Sequence, residues 1–407
     1  MHNQGTRDKS DNQLLKEFKN VLNQVGHDIA ALKYDALTIP HPARRTLQER
    51  FSCGWLELKA MVFPEMSDPT YQALINQNKA LHEKNRQLAD LRQGFIETTL
   101  VALSKISFSP LSIPPKIKSK EMLEFHSIRS DAQVGELLEK EEVQGINEYN
   151  SDIYNKRVQK WTKKVLKFKE QDEASLGLNK LVVHHVGDQV EGERIYRGQA
   201  FHLDLNLIEQ LFFSLEVEAS SMLTLAQKFN EIEIFCVPGN HGRPGKVGEH
   251  HSKTNFDYLF YRMLKMQLEK QPNIKVFVSE SPTMIVKHGK KNFILTHGEN
   301  IKAYMGIPYY GLEREHRKLA DLYGMVFDYQ ISGHFHQPAR LGDKIILNGS
   351  IVGGSAFSVN KMGLASAPSQ KIFYFHGEKG INRESDLFLG EPISLSPDQD
   401  GIYTPHV

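Results

Sequence analysis

Five times between residues 123 and 336 a short apolar run stops at an aspartate, an asparagine or a histidine. The junctions read Ser130-Asp131-Ala132-Gln133, Gly187-Asp188, Gly239-Asn240-His241, Thr296-His297-Gly298 and Gly333-His334-Phe335-His336. Helical patterns separate most of the runs, which predicts an α/β fold. Ligands of α/β sheets collect at the carboxyl ends of strands, so five polar strand ends should converge on one place. Neighbouring glycines allow tight turns and close backbone approach. Carboxylate, imidazole and amide oxygen together suit divalent ions such as Mn²⁺, Fe²⁺ or Zn²⁺.

Taken singly, each junction has an ordinary explanation. An aspartate after a glycine is commonly a turn or a helix cap, and Gly-Asn-His alone is a turn signal. The five together, in one alternating pattern, have no such explanation. Strands are expected at Leu123–Ser130, Leu181–Val186, Ile232–Val237, Ile274–Val278, Met284–Lys287, Phe293–Leu295, Phe327–Ser332, 344–348 and 371–375. Helices are expected at 146–169, 204–229, 255–270 and 311–324. The first of these shows Tyr154, Val158, Trp161, Val165 and Phe168 along one face.

The blocks SDAQ, GDQVEG, GNHGR, THGEN and GHFH resemble, in type and order, those of the calcineurin-like metallophosphoesterases. SDAQVGE, GINEYN, GDQVEGERIYRGQ and GNHGRPGK further resemble the branch found in phage and prophage genomes. The resemblance covers about residues 125–377. It implies a four-layer α/β/β/α sandwich with the site at one end of two facing sheets. It also implies two divalent ions, Mn²⁺ first with Fe²⁺, Zn²⁺ or Mg²⁺ as alternatives, ~3.5–4 Å apart around a hydroxide. By resemblance Asp188 bridges the ions, Asp131, Gln133 and His336 complete one, and Asn240, His297 and His334 complete the other. His241 serves the leaving oxygen as acid or electrostatic partner.

Two positions depart from that family. Gln133 stands where a histidine is usual, a harder and neutral donor that favours a weaker or Mn²⁺/Mg²⁺-biased first ion. Gly242 stands where Asp or Glu is usual, so another group must orient His241, with Glu299 or a backbone carbonyl as the candidates. Arg197 and Arg243, with Arg194 and Lys246 beside them, are candidates to hold the non-reacting phosphate oxygens. The run of Lys156, Arg157, Lys160, Lys163, Lys164, Lys167 and Lys169 reads either as a solvated helix face or as a phosphate track.

Ahead of this region the chain reads as helical. Leu14, Leu15, Phe18, Val21 and Leu22 share one helix face. A short helix follows at 28–37, then a turn at 38–42, then a helix from Pro42 through Leu58. Residues 1–69 are therefore a small helical domain. The segment PARRTLQERFSCGWLELKAMVF resembles a helix-turn-helix repeat of some homing endonucleases, with Arg44, Arg45, Thr46, Gln48 and Arg50 exposed. Residues 1–70 nevertheless carry nine Lys or Arg against nine Asp or Glu, so docking or oligomerisation is an equal alternative. Residues 70–105 form a helix with Leu74, Leu81, Leu88 and Leu91 near heptad spacing, a candidate homodimer contact. Residues 106–121 are expected as a linker, 122–390 as the phosphoesterase-like domain and 391–407 as a loose tail.

Composition excludes little. The net charge of +1 gives no global pull on nucleic acid. Cys53 and Cys236 lack a paired spacing, which points to free thiols in a reducing, cytoplasmic setting. The polar first residues show no secretory signal, and no apolar run is long enough for a membrane span. The expected function is hydrolysis of a phosphate ester, first a phosphodiester of DNA or RNA. The alternatives are a nucleotide or protein phosphomonoesterase, and a non-catalytic accessory subunit.

Overall fold

The computed structural model describes residues 9–25, 44–62, separate positions between 77 and 101, 110–119, 122–143, 145–196, 198–245, 251–301, 308–355, 358–360 and 366–390. The chain divides into two units, Met1–Gly94 and Phe95–Val407.

The first unit contains α1 (Asp11–Val25), α2 (Arg44–Phe51) and α3 (Trp55–Val62). Leu14, Phe18 and Leu22 of α1 meet Leu47, Leu58 and Val62 in its core. The helix expected from Pro42 through Leu58 is in fact two helices. Ser52 takes a left-handed φ of 49°, and the helical run stops there before restarting at Trp55. The expected helix at 28–37 and turn at 38–42 lie outside the described residues, as do the side chains of Arg44, Arg45 and Thr46. Of the leucines at near-heptad spacing only Leu81 is described; it is exposed on a helical stretch.

The second unit carries two sheets. In the first, β1 (Glu124–Arg129), β2 (Lys180–Val186), β3 (Glu231–Val237) and β4 (Ile274–Val278) run parallel. Antiparallel β10 (Ser369–His376) and β11 (Gly380–Phe388) extend it, in the order β11-β10-β1-β2-β3-β4. The second has the order β5-β6-β7-β9-β8, from β5 (Thr283–His288), β6 (Lys291–Thr296), β7 (Tyr329–Ser332), β8 (Ala339–Leu341) and β9 (Ile345–Leu347). β6, β7 and β9 are parallel.

Burial shows how the layers stack. Ile128, Val182, Val186, Phe235 and Phe373 of the first sheet share one core with Val286, Phe293, Leu295 and Ile331 of the second. The sheets therefore face each other. The other face of the first sheet packs on α4 (Ser151–Leu176), α5 (Leu207–Ala226) and α6 (Phe256–Leu268), through Trp161, Leu215, Leu264 and their neighbours. The outer side of the second sheet meets α7 (Tyr309–Tyr323) through Leu312 with Ile345, and Leu319 with Ile294. The order is helices, sheet, sheet, helix. β1, β2 and β3 are buried along nearly their whole length, as expected of parallel strands covered on both faces.

Caps set the helix limits. Asn150 accepts from the Ile153 nitrogen at 2.9 Å, so α4 begins at Ser151 rather than at 146. Asn206 and Glu209 form a capping box on α5. On α4, Arg157 and Lys169 are buried. Arg157 donates to the carbonyls of Ile351 and Val352 at 2.8 Å. Lys169 pairs with Glu173 on the same helix and lies over the Phe229 ring, so neither buried cation is presented as part of a phosphate track. Residues 110–119 have no regular secondary structure, yet they are hydrogen-bonded to the same unit, Leu111 to Gln271 and Ile117 to Asn179. No helix among the described residues is long and apolar enough to cross a membrane.

Candidate metal centre

The loops after β1, β2 and β3 leave the first sheet at one end, and those after β6 and β7 leave the second beside them. Asp131 N donates to the Gly187 carbonyl at 3.1 Å, and Gly333 N to the His297 carbonyl at 3.0 Å. His334 N donates to both Asp131 carboxylate oxygens, at 3.0 and 3.2 Å, which ties the two sheets together. The five polar strand ends thus meet in one place.

Their backbone is unusual. Six described non-glycine residues have positive φ. Five of them are Asp131 (53°), Gln133 (42°), Asp188 (54°), His334 (70°) and His336 (57°). Left-handed conformations cost non-glycine residues about 1–3 kcal/mol each and persist only where surrounding structure enforces them. Here the enforcement is visible. The Asp188 carbonyl accepts from Ala132 N (2.8 Å) and Gln133 N (2.9 Å), and Ser350 Oγ donates to the Asp131 carbonyl at 3.0 Å.

One buried carboxylate organises the backbone of two loops. Asp257, in the first turn of α6, accepts from Asp188 N and Gly239 N at 2.8 Å, Gln189 N at 3.0 Å and Val190 N at 3.2 Å. The glycines are required by contact. A Cβ on Gly187 would lie 2.6 Å from the Gly239 Cα, and one on Gly333 2.7 Å from Asp131 Oδ2.

The side chains then crowd acceptors together. His297 Nδ1 lies 2.7 Å from the Val186 carbonyl, which can only accept, so Nδ1 carries the proton. In the neutral ring Nε2 is then a lone pair, and it sits 2.9 Å from Asp188 Oδ2 and 3.1 Å from Asn240 Oδ1. Gln133 Oε1 is buried and has no partner among the described residues. Asp188, His297 and His334 offer donor atoms within 4.8 Å of one another. His336 Nε2 lies 3.5 Å from Asp131 Oδ1. Burial opposes charge on His297, but Asp188 raises its proton affinity well above the usual range. The same negative field that draws a proton would draw a divalent cation. The donor set, its orphaned amide oxygen and its facing lone pairs fit such ions.

His241 stands beside this group. Its backbone nitrogen donates to Asp188 Oδ1 at 2.8 Å, and its Nε2 lies 3.1 Å from Gln133 Nε2. Its Nδ1 meets Glu191 Oε2 at 2.7 Å. The orienting group is therefore Glu191, not Glu299 or a backbone carbonyl. Burial alone would lower the His241 pKa, yet Glu191 and Asp188 raise it to about 10. A side chain at Gly242 would fall against Asn255 Oδ1 and 2.7 Å from the Asp257 nitrogen, so no carboxylate fits there.

Of the candidate substrate cations, Arg243 is partly buried and donates from Nε to the Asn240 carbonyl at 2.9 Å. Arg194 is exposed. Arg197 and Lys246 lie outside the described residues. Sequence reading assigned no role to Glu191 or Asp257. Glu191 was in view within the GDQVEG block; Asp257 carried no signal beyond the Asn255 cap two residues before it.

The fold and site define a two-sheet α/β sandwich with a polar, acceptor-rich centre at its strand ends. No protein-family model matches the sequence, and no curated protein matches it. Among solved structures, Vps29 from Entamoeba histolytica, complexed with Zn²⁺, is 12% identical, covering 65% of this chain and 99% of its own at a TM-score of 0.26. The hypothetical protein PH1004 from Pyrococcus horikoshii OT3 is 10% identical over 65% of this chain and 88% of its own, at 0.31. The phosphopantetheinyl hydrolase PptH from Mycobacterium tuberculosis is 11% identical over 60% and 94%, at 0.25. Likenesses this weak add nothing to what the chain's own geometry supports.

Proposed function

We propose that this chain is a metal-dependent phosphoesterase of the calcineurin-like type. Asp131, Gln133, Asp188, Asn240, His297, His334 and His336 would hold two divalent ions, Mn²⁺ first. The observation that carries this reading is the coincidence of strain with donor type. Five of the seven candidate ligands adopt left-handed backbone conformations, and all seven come from the ends of five strands. Ions held there would supply neutralisation of phosphate oxygens and a water nucleophile near neutral pH.

The chain's own groups do the rest. Asp257 fixes the backbone that presents Asp188 and Asn240. Val186 fixes the His297 tautomer. Glu191 holds His241 with Nδ1 toward the carboxylate, leaving Nε2 beside Gln133 at the centre, where, once protonated and released from the Gln133 amide, it would supply a proton to a departing oxygen. Arg243, anchored at Nε on the Asn240 carbonyl, is positioned to bind a non-reacting phosphate oxygen. The narrower reading is a phosphodiester of DNA or RNA, supported by Arg243 and the exposed Arg194.

The test is Mn²⁺-dependent hydrolysis of bis-p-nitrophenyl phosphate, p-nitrophenyl phosphate, and single- and double-stranded DNA, by wild type and Asp188→Asn. Diester and DNA cleavage that needs metal and disappears in Asp188→Asn is the expected result. Diester cleavage without any polymer cleavage removes the nucleic-acid reading. Monoester cleavage alone favours a phosphatase. No activity on any substrate sinks the enzyme reading.

A further inference from the structure

A second group of metal-capable side chains lies in the core between the sheets. His126 of β1, His184 of β2 and His288 at the end of β5 are all buried, and one ring nitrogen of each lies within 4.8 Å of the others. His126 Nδ1 and His184 Nε2 are 2.9 Å apart. The walls are aromatic. The His126 ring lies 4.8 Å from the Phe373 ring, and Phe293 and Phe235 stack near His184. This group is distinct from the strand-end centre. His184 lies within β2, two residues before its end, whereas Asp188 lies in the loop beyond, and the two groups share no residue.

Three imidazoles in a phenylalanine-lined core need a reason. As an apo network they are incomplete. Glu124 Oε2 accepts from His126 Nε2 at 3.1 Å, which leaves His126 Nδ1 as a lone pair that accepts from His184 Nε2 at 2.9 Å. His288 Nε2 is buried with no hydrogen-bond partner among the described residues, and so is His184 Nδ1, on the side of its ring away from His126. His288 Nδ1 is 3.8 Å from Glu124 Oε2, too far for a hydrogen bond.

We propose that His126, His184 and His288 bind one Zn²⁺ ion as a staple between the two sheets, with Glu124 orienting His126. Three neutral imidazoles are a zinc donor set, with water as a fourth ligand. A ligating histidine whose other nitrogen donates to a carboxylate is the usual arrangement around such ions. Here that carboxylate also supplies negative charge beside the site. Two ligands come from the first sheet and one from the second, so the ion would join the layers. Burial keeps the imidazoles unprotonated and ready to ligate, lowering His288 to about 3. Glu124 is also ion-paired with Lys180 at 3.3 Å, and both side chains are partly exposed at the sheet margin. The inference does not depend on the strand-end centre.

The test uses the full chain, stripped with chelator and reloaded with Zn²⁺ or Co²⁺. Metal content is measured in wild type, in Asp188→Asn/His297→Ala, and in that double variant carrying His184→Phe, whose ring suits the aromatic surroundings. We expect one Zn²⁺ per chain to persist in the double variant and to be lost with His184→Phe. Co²⁺ in the double variant should give the strong visible absorption of a low-coordinate, nitrogen-rich site. That spectrum needs no change to the trio, so it decides the matter even where His184→Phe fails to fold. A double variant that binds no Zn²⁺, or has no such spectrum, overturns the proposal. So does undiminished binding after His184→Phe.

Discussion

Glu191 Oε2 lies 2.7 Å from His241 Nδ1, and the carboxylate belongs to the loop after β2 rather than to the His241 loop itself. Through that contact Glu191 fixes the direction of Nε2 and adds negative charge that, with Asp188, raises the proton affinity of the imidazole against burial. Glu191→Gln should lower kcat about 10–100-fold, the usual range for groups that orient a functional imidazole. The sign of the pH effect follows. If His241 acts protonated, activity falls as pH rises through its pKa. Removing the Glu191 charge lowers that pKa, so the alkaline limb must move to lower pH. A pH–rate profile with an unmoved limb would separate Glu191 from catalysis.

Gly242 supplies a counter-intuitive prediction. Restoring the carboxylate usual in the resembled family, Gly242→Asp, should damage this protein. The new Cβ would press on Asn255 Oδ1 and on the Asp257 nitrogen, at the start of the helix that steadies Asp188. Overpacking of this kind costs about 1–3 kcal/mol. Thermal denaturation should show a lower midpoint, and hydrolysis should fall with it. An unchanged midpoint with higher activity would mean that the loop adapts and that Glu191 is dispensable.

Much of the centre was legible because the sequence states it locally. Strands ending in Asp131, Asp188, Asn240, His297 and His334 announce themselves by an apolar run and an abrupt polar stop, and parallel pairing then forces the ends together. The supports were not legible, for a physical reason. Asp257 acts from the first turn of a helix 69 residues after Asp188, and nothing in a local window marks a carboxylate that will cap another loop. The polar edge strand β11, reading GINRESDLF, lacks the alternation of a half-buried strand and was missed. β8 is three residues long and too short to carry a pattern. The histidine trio was hidden because its members are far apart in sequence: His126 sits in a strand that reads as ordinary, and His288, which the structure places at the end of β5, reads as the first residue of the hairpin turn after Lys287. The Ser52 break in the N-terminal helices rests on a single residue's conformation, which hydrophobic periodicity does not report.

Asp257 accepts four main-chain N–H groups, and all four sit in loops that carry candidate ligands. Asp257→Ala strands those donors in a buried place, at about 1–3 kcal/mol each where no water enters. Destabilisation of more than about 3 kcal/mol is expected in urea unfolding. Asp257→Asn keeps one acceptor oxygen and should fall between Ala and wild type. Activity per folded molecule should also drop in both variants, because Asp188 and Asn240 lose their backbone anchor. Full activity in a folded Asp257→Ala protein would show that the metal ions alone can hold these loops.

The histidine trio makes stability acid-sensitive in a stated window. Burial lowers the proton affinity of His126, His184 and His288, with Glu124 partly opposing the shift at His126 and His288. Their folded pKa values therefore lie below the unfolded value of about 6.5. As pH falls through 6.5 the unfolded chain takes up protons that the folded chain refuses. Stability from these groups is complete above that pH and is lost on the way down toward the folded values, about 3 for His288. Each histidine contributes a slope of about 1.4 kcal/mol per pH unit once fully protonated in the unfolded state. His241, His297 and His336, whose proton affinities are raised, act in the opposite sense over the same range, so the trio's share is read from the difference between wild type and His184→Phe in urea midpoints measured in chelator between pH 7.5 and 5. His184→Phe should reduce the slope by about one histidine's share while leaving the protein at least as stable at pH 5. Equal slopes in the two proteins would mean that the trio is already protonated, or is open to water, in the folded chain.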